Sequence, residues 1–149
     1  LGAVTGGGVR SEVNEEGKYK WMFGTNPNGE NHWHASVHNY IDESIDSNIT
    51  VYALGVSCKN GLIDIQRHVT QKSINHQQHP SQTTNLPAGI NLAGGGVWTV
   101  TETGDGVLTH KCAPTLNNSW ESVSTDFDGR VSEAYQTVWA IGLTAKGNW

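Results

Sequence analysis

A seven-residue sequence occurs twice in this chain, and the duplication restricts the folds that the chain can adopt. TVYALGV at positions 50–56 returns as TVWAIGL at positions 137–143, a displacement of 87 residues. The same displacement matches 27–59 with 114–146 without a gap. Self-similarity over this length indicates two copies of one structural unit.

Each copy is predicted to consist of β-strands. Glycine triplets at 6–8 and 94–96, displaced by 88 residues, extend the match upstream. Apolar residues do not recur at the helical spacing, and 18 glycines with only 15% charged residues disfavour long charged helices. Glycine triplets suit a close approach of two backbones. The continuously apolar segments 50–56 and 137–143 are predicted to be buried core strands.

The chain is therefore expected to form one all-β domain over residues 1–149. Repeat one covers about 1–61 and repeat two about 86–149, and a connecting segment of about 62–85 supplies a turn and an edge strand. In this prediction the two pseudo-symmetric repeats of short antiparallel strands pack as a sandwich or prism, which buries both apolar strands.

Charge and cysteine content limit the classes of partner that this chain can bind and the locations it can have. Nine basic and fourteen acidic residues give a net charge of −5 without a basic run, which argues against nucleic acid. No apolar stretch approaches the ~20 residues of a transmembrane helix. Two glycosylation sequons, at 48–50 and 117–119, favour a secreted, extracellular protein. Cys58 and Cys112 lack zinc-site spacing, so they form either one disulfide or two free thiols.

Two tryptophans that match between the copies suggest a carbohydrate ligand. A pyranose has an apolar face that stacks on an indole, and its hydroxyls bond to carboxylate, amide or imidazole groups. The candidate ligand-binding residues are Trp33, His34 and Asn39 in repeat one, and Trp120, Glu121 and Asp126 in repeat two. The alternative is that both tryptophans are buried markers of the repeat. Trp21, Trp98 and Trp149 have no aromatic counterpart and are the tryptophans expected to be exposed.

Two groups of residues are candidate metal sites, and each also has a simpler interpretation. Alternating histidines on a strand share one face, so His32, His34 and His38 are a candidate metal site, although such histidines also occur in strands without metal. Acidic loops follow the matched aromatics and could hold calcium, or could simply be solvated. Their carboxylates belong to Asp42, Glu43 and Asp46 in repeat one and to Asp126, Asp128 and Glu133 in repeat two.

The motifs also resemble a known group of proteins. Pro87-Ala88-Gly89 leads to a glycine triplet, then a tryptophan, then the TVxAxG strand. This order resembles repeats in secreted, mostly bacterial proteins of unassigned function. The resemblance implies secretion and a β fold, and it transfers no site residues.

No catalytic motif of the common hydrolase, protease or nucleotide-binding types is present, so an enzyme is not expected. The sequence favours a secreted, lectin-like carbohydrate-binding protein with two related sites that binds glycans and forms a homodimer. Two alternatives remain open: a membrane-active toxin component, and a structural or inhibitory module that binds protein.

Overall fold

The computed structural model describes residues 2–13, 20–39, 47–58, 63–103, 106–126 and 131–147. These residues form ten strands and contain no helix, which confirms the all-β prediction. The strands are β1 (Gly2–Val13), β2 (Lys20–Pro27), β3 (Trp33–Asn39), β4 (Ser47–Ser57), β5 (Ile63–Gln77), β6 (Ser81–Asn85), β7 (Asn91–Thr103), β8 (Val107–Pro114), β9 (Ser119–Asp126) and β10 (Glu133–Gly147).

The strands form three antiparallel sheets. The largest has the order β3-β2-β7-β10-β5, a second has the order β6-β9-β8, and β1 pairs with β4 in a two-stranded ribbon. Strand β5, from the predicted connecting segment, is an edge strand of the largest sheet. A helix long and apolar enough to span a membrane does not occur in the described ranges.

The hairpins β2–β3 and β8–β9 have the same register. Pro27 pairs with Trp33 in the first hairpin, and Pro114 pairs with Trp120 in the second, so both partners are displaced by 87 residues. The register shifts also coincide, at Met22–Gly24 and Thr109–Lys111. The matched sequences therefore form matched hairpins.

The central glycine of each triplet lies against a matched tryptophan. A Cβ added to Gly7 would lie 2.4 Å from ring carbons of Trp33, and a Cβ added to Gly95 would lie 2.3 Å from the ring of Trp120. Because real Cβ atoms do not approach this closely, only glycine allows each indole to lie on the backbone. The predicted close approach at the triplets is thus present in both halves of the chain.

The buried core lies mainly in the second half. Val97, Val138 and Ile141 are completely buried on β7 and β10. A polar cluster extends this core, because Gln136 donates a hydrogen bond from Nε2 to Ser124 Oγ at 2.7 Å and to Thr99 Oγ1 at 3.3 Å. All three side chains of this cluster are fully buried.

The prediction that both apolar strands are buried is wrong for the first of them. Strand β10 lies between β7 and β5, and the aligned strand β4 pairs only with β1 among the described strands. Leu54 on β4 is consequently 64% exposed, whereas the aligned Ile141 is 0% exposed. The two sequences are nearly alike, and the difference comes from the neighbours that each strand has.

Candidate functional site

A cleft of about 450 Å³ lies where the two halves of the chain meet. The hairpin β2–β3 contributes Phe23, Ser36 and His38, among other residues, to its lining. Strand β7 contributes Trp98 and the adjoining residues 99–101. The volume lies within the range of about 300–1,000 Å³ that small-molecule sites occupy.

The backbone creates the cleft because β2 and β7 pair over only two positions. Gly24 pairs with Trp98, and Thr25 pairs with Val97. The β2–β3 ladder shifts register between Met22 and Gly24, which leaves Phe23 as an extra residue. Such a bulge redirects a side chain, and Phe23 lines the cleft.

Trp98 is the large aromatic side chain of the cleft. It is 41% exposed, as expected for a tryptophan without a counterpart in the other copy. A Cβ added to its neighbour Gly24 would lie 3.0 Å from Trp98 Cδ1 and 3.2 Å from the carbonyl oxygen of Val97. The missing side chain at Gly24 therefore makes room for the indole beside β2.

Phe23 and His38 form an aromatic pair within the same lining. Their ring centroids are 5.3 Å apart and their planes are inclined by 67°, an edge-to-face contact. Because His38 is exposed, the pair combines an apolar ring with a polar imidazole that solvent can reach. The arrangement suits a ligand that has both apolar and polar surface.

One hydroxyl of the lining is unpaired. Ser36 Oγ is buried without a hydrogen-bond partner among the described residues. By contrast, Thr101 Oγ1 accepts a hydrogen bond from the backbone N–H of Val107 at 3.2 Å, and Thr99 Oγ1 bonds to Thr109 at 3.0 Å. An unpaired buried hydroxyl is a cost to the fold, and because Ser36 Oγ is buried, it is not a group that a ligand in the open cleft contacts.

The matched tryptophans lie elsewhere and are already in contact with the protein. Trp33 is 8% exposed, and its indole N–H donates to Thr25 Oγ1 at 2.7 Å. Trp120 is half-buried, and its N–H donates to Cys112 Sγ at 3.1 Å. Trp33 is therefore buried, as the alternative interpretation of the matched tryptophans predicts.

The polar candidates beside Trp120 bond to other residues of the chain. Glu121 forms an ion pair of 2.6 Å with Lys111. The Asp126 carboxylate accepts a hydrogen bond from the backbone N–H of Ser132 at 3.3 Å, and its other oxygen lies 3.7 Å from His79 Nε2. Both carboxylates thus have protein partners within hydrogen-bond or ion-pair distance.

The histidine candidates do not come together as a metal centre. His34 and His38 are exposed on β3, and His32 is exposed just before the strand. Within the described ranges no group of three or more His, Cys, Asp or Glu side chains could hold a metal ion. The side chain of Asn39, and the calcium candidates Asp42, Glu43, Asp46 and Asp128, lie outside the described residues. Glu133 is described, and one of its oxygens lies 3.8 Å from His76 Nδ1.

Cys112 carries a free thiol in the structure, so the disulfide alternative, between Cys58 and Cys112, is not the one formed here. Burial raises the pKa of the Cys112 thiol above its ordinary value, and the hydrogen bond from Trp120 offsets part of this rise. The thiol form is therefore the favoured form of Cys112 in the folded chain.

Sequence reasoning did not connect Phe23, Ser36 and Trp98 as one site. The only signal was that Trp98 is an aromatic residue without a counterpart in the other copy. Their proximity depends on a pairing between β2 and β7 that joins distant parts of the chain.

Comparison with known protein families, with curated proteins and with solved structures finds no match to this chain.

Proposed function

We propose that this chain is a secreted, lectin-like carbohydrate-binding protein that binds glycans in the cleft between β2–β3 and β7. The observation that carries the proposal is the exposed indole of Trp98 beside Phe23 and His38. Trp98, and not Trp33, provides the stacking surface, because the ring of Trp33 is buried.

The cleft offers the two kinds of contact that a sugar needs. The indole of Trp98 provides an apolar face for a pyranose ring. The exposed imidazole of His38 provides a polar group for sugar hydroxyls. These groups require neither a metal ion nor a charged ligand.

We also infer that the two halves arose by duplication and form two pseudo-symmetric repeats, packed as a sandwich or prism. The equal registers of hairpins β2–β3 and β8–β9 support this inference. So do the equal contacts of Gly7 with Trp33 and of Gly95 with Trp120. The resemblance to repeats of secreted, mostly bacterial proteins supports the extracellular location.

The proposed site is a single cleft, and not a pair of equal pockets with one in each repeat. The cleft uses the hairpin of the first repeat and strand β7 of the second. At the position matched to Trp98, displaced by 88 residues, the first repeat has Arg10. Arg10 forms an ion pair with Glu12 at 2.5 Å. A ring for stacking is therefore present on β7 and has no equivalent at that position of β1.

A glycan array followed by calorimetry tests the proposal. The wild-type protein should give saturable binding to a subset of glycans, and Trp98→Ala should lose it while circular dichroism shows that the variant is folded. Trp139→Ala is a matched control, because this half-buried indole on β10 lies outside the cleft lining. Flat arrays, or full binding by Trp98→Ala, would contradict the proposal. Liposome leakage would instead favour a membrane-active component, and protein capture insensitive to sugars would favour a protein-binding module.

A further inference from the structure

Strand β4 presents an uncharged apolar surface to solvent. Its sequence from Ser47 to Ser57, SNITVYALGVS, contains no charged residue. Its large apolar side chains are all exposed, and they belong to Ile49, Val51, Tyr52, Leu54 and Val56. Because neighbouring side chains on a strand point to opposite faces, both faces of β4 are apolar and exposed.

The matched strand shows how this sequence is covered elsewhere in the same chain. On β10, Val138 and Ile141 align with Val51 and Leu54 and are completely buried. Strand β10 has an antiparallel neighbour at each edge, β7 and β5, whereas β4 has β1 at one edge and no strand at the other within the described ranges. Among the described strands, the difference is therefore that β10 has a second antiparallel neighbour and β4 has one neighbour.

The long edge strand β5 is protected in a way that β4 is not. Proteins block free edges with charged side chains, because an unpaired row of backbone N–H and C=O groups can pair with another chain. The edge strand β5 carries Arg67 and Lys72. An eleven-residue edge without charge is open to pairing.

We propose that β4 pairs antiparallel with β4 of a second copy of this chain, about a two-fold axis. A strand without charge can face its own copy without like charges coming opposite each other. A two-fold contact is also closed, so pairing stops at the dimer. A register with the axis at Ala53 sets Tyr52 opposite Leu54 of the partner subunit, which covers the most exposed apolar side chain of the strand.

This pairing does not depend on the ligand of the cleft. None of the β4 residues lines the cleft, so each copy in the dimer retains its own cleft. Two linked clefts would increase the apparent affinity for a surface that displays many copies of one ligand.

Sedimentation equilibrium of the full chain tests the proposal. The wild-type protein should have twice the 16.1 kDa mass of one chain. Leu54→Lys should reduce the mass to that of one chain at the same concentration, because two lysines would then lie in an apolar contact. The matched control is Leu116→Lys, which makes the same change at a fully exposed leucine of the β8–β9 turn and should leave the dimer intact.

Tyr52→Lys is a second variant at the centre of the surface, and circular dichroism verifies that each variant is folded. A wild-type chain that stays monomeric at all concentrations would overturn the proposal, and so would a folded Leu54→Lys variant that stays dimeric. A series of larger assemblies would overturn the closed two-fold contact. Loss of the dimer in Leu54→Lys with unchanged glycan binding would support the dimer surface and keep it separate from the cleft.

Discussion

Gly24 and Trp98 face each other at one of the two positions where the described parts of β2 and β7 pair. A Cβ on Gly24 would lie 3.0 Å from Trp98 Cδ1, closer than most real Cβ contacts. The position of the indole therefore depends on the absence of a side chain across the ladder. This pair joins the two halves of the chain, and Trp98 lines the proposed binding cleft.

Gly24→Ala should displace the indole and weaken glycan binding by about tenfold, or about 1.4 kcal/mol. Calorimetric titration with a glycan selected on the array measures this change. Gly8→Ala is the matched control, because a Cβ at Gly8 meets no atom within 4 Å. Equal glycan affinities of the two variants would show that the position of the Trp98 indole does not depend on Gly24.

Gly95→Ala should destabilise the fold much more strongly than Gly24→Ala. The added Cβ would lie 2.3 Å from the ring of Trp120 and 2.5 Å from the carbonyl oxygen of Trp139. Because backbone cannot move aside cheaply, we expect a loss of about 3 kcal/mol in the free energy of unfolding. Urea unfolding measures it. If Gly95→Ala lost no more free energy of unfolding than Gly8→Ala, the result would contradict the close packing of Trp120 on the glycine triplet.

Replacing Gln136 with methionine should cost under about 1 kcal/mol of stability. Gln136 Oε1 is buried without a partner among the described residues. The hydroxyls of Thr99 and Ser124 would keep their bonds to Thr109, at 3.0 and 2.8 Å. Gln136→Ala should instead cost about 2–3 kcal/mol, because it leaves a cavity. Thermal unfolding of both variants checks the order, and a methionine variant less stable than the alanine variant would contradict it.

The raised pKa of Cys112 predicts a loss of stability in alkaline solution. The ordinary value is 9.0, and burial raises the pKa of the thiol in the folded chain above it. Below pH 9 both states hold the proton, so the stabilisation is complete there. As pH rises further the unfolded chain loses its proton first, and stability falls until the folded thiol also ionises.

Unfolding curves measured from pH 8 to 10.5 test this prediction. Cys112→Ser is the control, because it removes the titrating thiol and retains an acceptor for the indole N–H of Trp120. The wild-type protein should lose more stability over this range than the serine variant. Parallel curves would show that Cys112 does not contribute to the pH dependence.

The β class and the close approach at the glycine triplets follow from local features of the sequence. The burial of the two apolar strands does not follow from local features, because TVYALGV and TVWAIGL differ little. Leu54 is exposed and the aligned Ile141 is buried because the two strands have different neighbours. The neighbour that accounts for the difference in burial is β5, a polar segment whose pairing with β10 is non-local. The cleft was missed for the same reason, since Gly24 and Trp98 are far apart in sequence.

Oxidation of tryptophans, mapped by mass spectrometry with and without a saturating array-selected glycan, tests the central claim most directly. Trp98 should be modified in the free protein and protected by the glycan, and buried Trp33 should be unmodified in both. Equal modification of Trp98 with and without bound glycan would contradict the claim that sugars stack on this residue.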